Sequence, residues 1–198
     1  VGGDIVRSPH DAFVSVALVG SMPGDRFLTR SGARPGQLVM VTGTLGDSCL
    51  GLKWLMGGGS DDNPCARRHL YPQPRLAEGR RALEMGASAC IDISDGLLRD
   101  LGHICEESGV GMEIVLEDLP ISLAAGELEE DAVDAALFGG EDYELVLAAD
   151  EDVAEAMREE LGLAVIGRVT AGDGVEVVDA AGRKVEAARR GYEHFKEG

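Results

Sequence analysis

From Gln37 onward, the chain alternates between short runs of β-forming residues and longer segments with the apolar spacing of amphipathic helices. Such an alternation is typical of a sheet covered by helices, because each element must bury its apolar face against another. The sequence therefore predicts an α/β (α+β) fold around one core. The segment from Ser21 to Gly36, with its Pro, Gly and Asp content, predicts a connection and a domain boundary before that core.

The same patterns give the approximate limits of the elements. Strands are predicted over 12–19, 38–42, 87–93, 112–116, 143–149, 164–169 and 175–178. Helices are predicted over 47–56, after Pro74, and over 97–107, 128–137 and 153–161. Asp47 or Ser48 is the expected cap of the first helix, and the glycine-rich segment 57–64 predicts a flexible break.

Charge and hydropathy exclude two classes of partner. The chain has 18 basic and 36 acidic residues, so its formal net charge of -18 would repel a nucleic-acid backbone. Its apolar runs fall far short of the roughly 20 residues of a membrane helix, and its first residues lack a signal-peptide pattern. We therefore expect a cytoplasmic protein that binds neither nucleic acid nor membrane.

The segment 91–96 (Ile-Asp-Ile-Ser-Asp-Gly) ends a predicted strand and begins a predicted helix. Strand alternation places Asp92 and Ser94 on one face, and Asp95 follows in the turn. Two carboxylates and a hydroxyl would then meet beside free helix N-terminal amides, which suits magnesium and phosphate. The alternative is that Ser94 or Asp95 only caps the helix.

Three further segments have polar groups that suit the same chemistry. In 139–144 (Gly-Gly-Glu-Asp-Tyr-Glu), the glycines let backbone approach closely, although a tight turn with solvated acids is the alternative. Gly3 and Asp4 repeat the order of glycine and acid. Arg30 lies in a predicted loop and Arg75 at a predicted helix start, and either guanidinium could meet phosphate, although surface arginines often have no specific role.

The usual nucleotide-binding and acyl-transfer motifs are missing from the sequence. It contains no G-x-x-x-x-G-K-[ST] loop, no kinase glycine loop with H-R-D, and no G-x-S-x-G elbow. Chemistry at the acidic segments would therefore not use a P-loop or an activated serine.

In combination, these segments resemble the thiamine-monophosphate kinase family. The matching segments, in order, are 2–4, 28–33, 41–48, 91–97 and 139–145, and the ending 191–195 is also similar. The resemblance spans nearly the whole chain and implies the aminoimidazole ribonucleotide synthetase-like fold. In that fold an N-terminal ATP-binding domain, which dimerises, precedes a C-terminal α/β domain.

The resemblance also implies a division of this chain. Residues 1–30 would be the last strands of the N-terminal ATP-binding domain, and residues 31–198 would be the C-terminal domain. Because the chain starts without methionine at a Gly-Gly turn, we expect the family's first acidic segments to be missing and independent catalysis to be affected. The complete protein is expected to be a homodimer.

The activity implied is ATP- and Mg²⁺-dependent phosphorylation of thiamine monophosphate to thiamine diphosphate by direct in-line transfer, with ATP as co-substrate. The residues implied are Asp4, Asp92 and Asp95 for magnesium, Gly3, Asp4, Arg30 and Ser94 for ATP, and Glu141 and Tyr192 for thiamine monophosphate. No catalytic acid or base is implied, because positioning and metal electrostatics suffice. Ile5 departs from the family, which usually has threonine there, so a hydroxyl near the phosphates is lost.

Two alternatives remain open at the level of sequence. One is another ATP-dependent member of the same superfamily, although the segment 139–144 favours the thiamine enzyme. The other is a catalytically incompetent module that folds, binds or dimerises without turnover.

Overall fold

Six strands form one mixed sheet in the computed structural model, which describes residues 16, 17, 19, 24, 26–128 and 132–185. The strands are β1 (Leu38–Val41), β2 (Ala89–Asp92), β3 (Gly111–Val115), β4 (Leu145–Ala149), β5 (Ala164–Thr170) and β6 (Gly174–Val178). Their order is β2-β4-β1-β5-β3-β6, and neighbours are antiparallel except for the parallel pair β3 and β6. The predicted α/β (α+β) class is confirmed.

Seven α-helices accompany the sheet within the described ranges. They are α1 (Asp47–Met56), α2 (Pro64–Leu70), α3 (Leu76–Met85), α4 (Leu97–Ser108), α5 (Leu123–Leu128), α6 (Ala132–Phe138) and α7 (Glu151–Leu161). A short 3₁₀ turn, Leu116–Asp118, follows β3. None of these helices is long and apolar enough to cross a membrane.

Most predicted elements are confirmed, but two helices were missed. Helix α2 begins at Pro64, the last residue of the predicted break, and the side chain of Asn63 accepts hydrogen bonds from the amides of Cys65 and Ala66. The second is α5, which precedes residues 129–131; the helix predicted over 128–137 corresponds to α6 alone. The strand predicted over 12–19 falls mostly outside the described residues.

Both faces of the sheet are buried, which explains why its central strands are apolar without interruption. In β1, Val39 and Val41 face a core shared with α4 and α6, whereas Met40 faces a second core with α3 and α7. All three side chains are fully buried. Burial of each side chain stabilises the fold by about 1.5–3 kcal/mol. Strand β1 therefore contributes to the packing of helices on both faces of the sheet.

One edge of the sheet collects the segments that the sequence analysis singled out. Val41, at the end of β1, pairs with Val146, and Asp92, at the end of β2, pairs with Leu145. Because β4 runs antiparallel to both strands, its beginning lies beside their ends. The segments that follow β1 and β2 therefore meet the segment that precedes β4.

Helix α1 packs so closely on α2 that a side chain is excluded at Gly51. A Cβ there would overlap the carbonyl oxygen of Cys65 and lie 2.7 Å from the amide nitrogen of Ala66. We expect Gly51→Ala to destabilise the fold by about 2 kcal/mol, because overpacking exceeds the gain in helix propensity. Gly102→Ala in α4, where no atom lies within 4 Å, should instead stabilise by about 0.5–1 kcal/mol. Urea unfolding measures the free energy of unfolding of both variants. The same change in both would contradict the close packing at Gly51.

Candidate functional site

Backbone hydrogen bonds join the two acidic segments at this edge. The amide of Glu141 donates to the carbonyl of Ser94 at 2.9 Å, and the amide of Tyr143 donates to that of Ile93 at 2.9 Å. In return, the amide of Ile93 donates to the carbonyl of Glu144 at 2.8 Å. The segments 91–96 and 139–144 therefore form one continuous structure, although about 45 residues separate them in the sequence.

The second segment adopts an unusual backbone to make this contact. Glu141 and Tyr143 have positive φ angles of 66° and 52°, which non-glycine residues rarely adopt. Gly140 lies directly against the carbonyl of Ser94, leaving no room for a Cβ. Such conformations persist only where surrounding contacts fix them, and they are frequent at functional sites.

Three of the predicted site carboxylates belong to the two joined segments and influence one phenol. Burial is the main reason that the pKa of Tyr143 is raised, and the charges of Glu141, Asp92 and Asp95 raise it further. All three acids therefore lie within electrostatic reach of the same hydroxyl. Asp95 also pairs with Arg99 at 3.6 Å. The structure brings these predicted residues together at the sheet edge.

The number and exposure of the carboxylate oxygens decide how Asp92 and Asp95 could bind magnesium. Within the described ranges, no group of three His, Cys, Asp or Glu side chains is placed to hold a metal ion. Asp92 is exposed and Asp95 is half-buried, so two hard oxygen donors face solvent. Magnesium commonly keeps several waters and binds through one or two carboxylates plus substrate phosphates. The two acids fit that mode of binding rather than a closed protein cage.

Gly3, Asp4 and Tyr192 lie outside the described residues. Arg30 is described and exposed, and the carbonyl of the preceding residue, Thr29, accepts a hydrogen bond from the amide of Cys90 in β2 at 2.8 Å, two residues before Asp92. The carbonyl of Arg30 accepts a hydrogen bond from the Ser108 hydroxyl at 3.0 Å, at the last residue of α4. Asp95 precedes the first residue of that 12-residue helix, which spans about 18 Å.

The amides of the turn before α4 are already occupied. One carboxylate oxygen of Asp100 accepts hydrogen bonds from the amides of Ser94, Asp95 and Gly96 at 2.9, 3.0 and 3.2 Å. The alternative that Ser94 or Asp95 caps the helix was therefore wrong, and the amides of residues 94–96 are not free for phosphate. The N-cap residue is Gly96, and the acid that satisfies the turn comes from within the helix.

Asp142 performs the corresponding task for α1. Its carboxylate is buried and accepts hydrogen bonds from the amides of Gly46 at 2.7 Å and Ser48 at 3.1 Å. The prediction that Asp47 or Ser48 caps this helix was wrong, because the N-cap is Gly46 in a left-handed conformation. The alternative of solvated acids after the glycines is also wrong for Asp142. Burial raises its pKa to about 7, against the lowering effect of the two amides.

Glu144 lies at the centre of a buried ion-pair network. Its carboxylate, only 1% exposed, binds Arg75 through two hydrogen bonds of 2.7 and 2.8 Å. Arg68 donates a third hydrogen bond, and the Thr42 hydroxyl donates a fourth at 2.5 Å. Burial alone would raise the pKa of Glu144, but these partners lower it below its ordinary value. Sequence analysis missed Glu144, Thr42 and Arg68; it singled out Arg75, but as a phosphate contact.

A cavity of about 680 Å³ opens beside the cluster. Asp92 and Tyr143 lie on its wall, together with Arg75. Most of the remaining lining is apolar and comes from α3, from residues 27 and 28, and from strands β2 and β4. A cavity of this size is within the range that binds small organic ligands.

Asp100 provides the first test of this geometry. We expect Asp100→Ala to reduce the free energy of unfolding by about 3 kcal/mol, because three buried or half-buried amides lose their acceptor. Asp100→Asn keeps an oxygen acceptor and should cost about 1 kcal/mol. Urea unfolding at pH 7.5 compares them, and a cost below 1 kcal/mol for alanine would rule out the capping role.

Asp142 gives the chain a stability that depends on pH. Its pKa is raised in the folded protein, so the folded state holds a proton that the unfolded chain releases between about pH 4 and 7. The stability that this group contributes is therefore lost as pH rises through about 7. We expect the free energy of unfolding of the wild type, minus that of Asp142→Asn, to fall by about 2–3 kcal/mol from pH 5 to pH 8. A constant difference would show that Asp142 stays ionised.

Comparison with known proteins agrees with this architecture. Residues 34–180 match the family described as AIR synthase related protein, C-terminal domain. The thiamine-monophosphate kinase of Escherichia coli strain K12 is 39% identical over 207 residues, which cover 98% of this chain and 63% of the relative. The kinase of Aquifex aeolicus is also 39% identical, over 98% of this chain and 62% of its own length. The chain thus spans less than two thirds of these relatives.

Solved structures agree in fold. A structure described as "AaThiL complexed with AMPPCP and TMP" superposes with a TM-score of 0.74 at 38% identity, covering 86% of this chain and 55% of that one. Since the family match covers most of the chain, and the sheet and helices agree with those structures, the chain belongs to the AIR synthase related proteins through their C-terminal domain, and it is similar over nearly all its length to thiamine-monophosphate kinases.

Proposed function

We propose that the protein containing this chain transfers the γ-phosphoryl group of ATP to thiamine monophosphate, giving thiamine diphosphate and ADP in a magnesium-dependent reaction. The observation that carries the proposal is the backbone junction of the segments 91–96 and 139–144, which brings Asp92, Asp95 and Glu141 to one sheet edge. Its assignment to thiamine monophosphate rests on similarity, since relatives at 39% identity are thiamine-monophosphate kinases and one related structure contains AMPPCP and TMP. In AMPPCP a methylene replaces the bridging oxygen of the phosphate to be transferred.

An acid-rich site without an activated nucleophile suits this reaction. The accepting group is a phosphate oxygen that is already anionic, so the protein needs no strong general base. The main difficulty is to bring two polyanions together in line. Magnesium, when bound, offsets their repulsion and orients the oxygens. In the described part of the chain, Asp92 and Asp95 are the residues that would hold it.

The substrate side follows the same logic. The thiazolium ring of thiamine is a cation, so carboxylates such as Glu141 suit it. The phenol of Tyr143 is oriented toward the same region of the sheet edge, and the neighbouring cavity is largely apolar. Tyr192 remains a proposed aromatic contact to the substrate, through a cation-π interaction with the ring. Gly3, Asp4, Arg30 and Ser94 remain proposed contacts to ATP.

We also propose that residues 1–30 complete an N-terminal ATP-binding domain and that 31–198 form the C-terminal domain. The complete protein would be a homodimer in the cytoplasm. Light scattering on the complete gene product tests the oligomeric state.

The activity is tested by thiamine diphosphate formation from thiamine monophosphate, ATP and magnesium. The assay is run on this chain and on the complete gene product that contains it. We expect Asp92→Asn and Asp95→Asn in the complete product to lower kcat/KM at least 100-fold, because each removes a proposed metal-binding charge. Removal of magnesium with a chelator should abolish turnover.

The matched control is Asp152→Asn, an exposed acid in the first turn of α7. It should leave kcat/KM within twofold of the wild type. If the complete product phosphorylates another acceptor but not thiamine monophosphate, a sister activity replaces this proposal. If it hydrolyses or transfers no phosphate at all, the binding or dimerisation module becomes the better description.

A further inference from the structure

Glu144 has no direct route to a ligand. Its carboxylate is 1% exposed, and four hydrogen bonds from Thr42, Arg68 and Arg75 occupy its oxygens. A Cβ at Gly43 would lie 2.5 Å from its Cδ, so backbone closes the remaining side. A carboxylate is costly to bury unless it is fully paired. We therefore look for a structural role of this ion-pair network rather than direct contact with a ligand.

The position of Glu144 in the chain indicates what this structural role is. Residues 142 and 144 direct their carboxylates inward, whereas Glu141 and Tyr143, which alternate with them, are exposed. Asp142 is tied to α1 by two amides, and Glu144 is tied to α2 and α3 by two arginines. The hydrogen bonds of Asp142 and Glu144 therefore fix the positions of the exposed residues Glu141 and Tyr143.

Anchors are needed because the turn is strained. Glu141 and Tyr143 both have positive φ, a conformation that is unfavourable for a residue with a side chain. The backbone hydrogen bonds to Ser94 and Ile93 hold one side of the turn. The bidentate fork of Arg75 holds the other, since a planar guanidinium fixes a carboxylate in both direction and plane.

Arg75 is committed to this task. Its Nε and Nη2 bind Glu144, and its Nη1 donates to Glu78 at 3.3 Å. All three guanidinium nitrogens therefore have carboxylate partners, and the phosphate contact suggested by sequence is not needed to explain it. Its pKa is raised, chiefly by the hydrogen bonds to Glu144. Arg75 also lines the cavity with Asp92 and Tyr143, so it lies beside the candidate site.

We propose that Arg75, through its ion pair with Glu144, is a positioning residue that fixes the turn 141–143 for phosphoryl transfer. The inference rests on the proposed function, since Glu141 is the proposed contact to thiamine monophosphate. Loosening the fork should displace that contact while leaving the proposed metal-binding residues in place. The expected effect is therefore on substrate affinity rather than on the amount of folded protein.

Arg75→Lys in the complete gene product tests this. Lysine keeps the charge but loses the fork. We expect KM for thiamine monophosphate to rise at least tenfold and KM for ATP to change less than threefold. Hydrogen exchange, read by mass spectrometry on the peptide containing residues 139–145, should become at least tenfold faster at the amides of Glu141 and Tyr143.

The matched control lies on the same helix. Arg81 makes a bidentate pair with Glu160 at 2.6 and 3.0 Å, but on the exposed surface between α3 and α7. Arg81→Lys should leave KM and the exchange of residues 139–145 within twofold of the wild type. If Arg75→Lys does not fold, Arg68→Lys removes a weaker anchor of the same carboxylate and should give the same changes at smaller size.

The outcomes separate this inference from the proposed function. A loss of kcat with unchanged KM and unchanged exchange would mean a merely structural role and would overturn the positioning role. The same holds if Arg75→Lys matches Arg81→Lys. If the wild type does not phosphorylate thiamine monophosphate, the proposed function fails, and the exchange measurement alone decides whether Arg75 fixes the turn.

Discussion

The paired burial of the Glu144 carboxylate is the constraint on which the site depends. An ionised carboxylate inside a protein is stable only when cations and hydroxyls replace its water. Here, Thr42 comes from the end of β1, Arg68 from α2, and Arg75 from the start of α3. The burial of this acid therefore requires these elements to meet around the start of β4. The position of the acidic turn follows from that assembly.

Internal acids also satisfy the helix starts at this edge. Asp100 occupies three amides at the turn before α4, and Asp142 occupies two at the start of α1. In many nucleotide-binding proteins such amides bind phosphate directly. Here the protein itself uses the amides of residues 94–96, 46 and 48, while Asp92 and Glu141 at the same edge are exposed. A divalent cation between such carboxylates and a phosphate would offset their repulsion, as the proposed magnesium dependence requires.

Much of the fold was predictable because its strands and helices have strong local patterns. The strand pattern of β1 and the helix pattern of α1 are confirmed almost residue by residue. Helix α2 was missed because it is only seven residues long and follows a glycine-rich segment. This omission mattered, since α2 supplies Arg68. A period of two in the segment 141–144 was the available signal that Asp142 and Glu144 face inward together.

The sequence by itself determined which residue types are available: the acids of segments 91–96 and 139–144, the glycines beside them, and the apolar faces of the sheet. Only the tertiary structure decided which acids face solvent and which are buried and paired within the protein. Asp92 and Asp142 each follow an apolar or glycine-rich segment, yet one is exposed and the other is buried against α1. The reason is physical: a carboxylate's role depends on whether amides and guanidinium groups from distant segments reach it, and local sequence does not contain those distances.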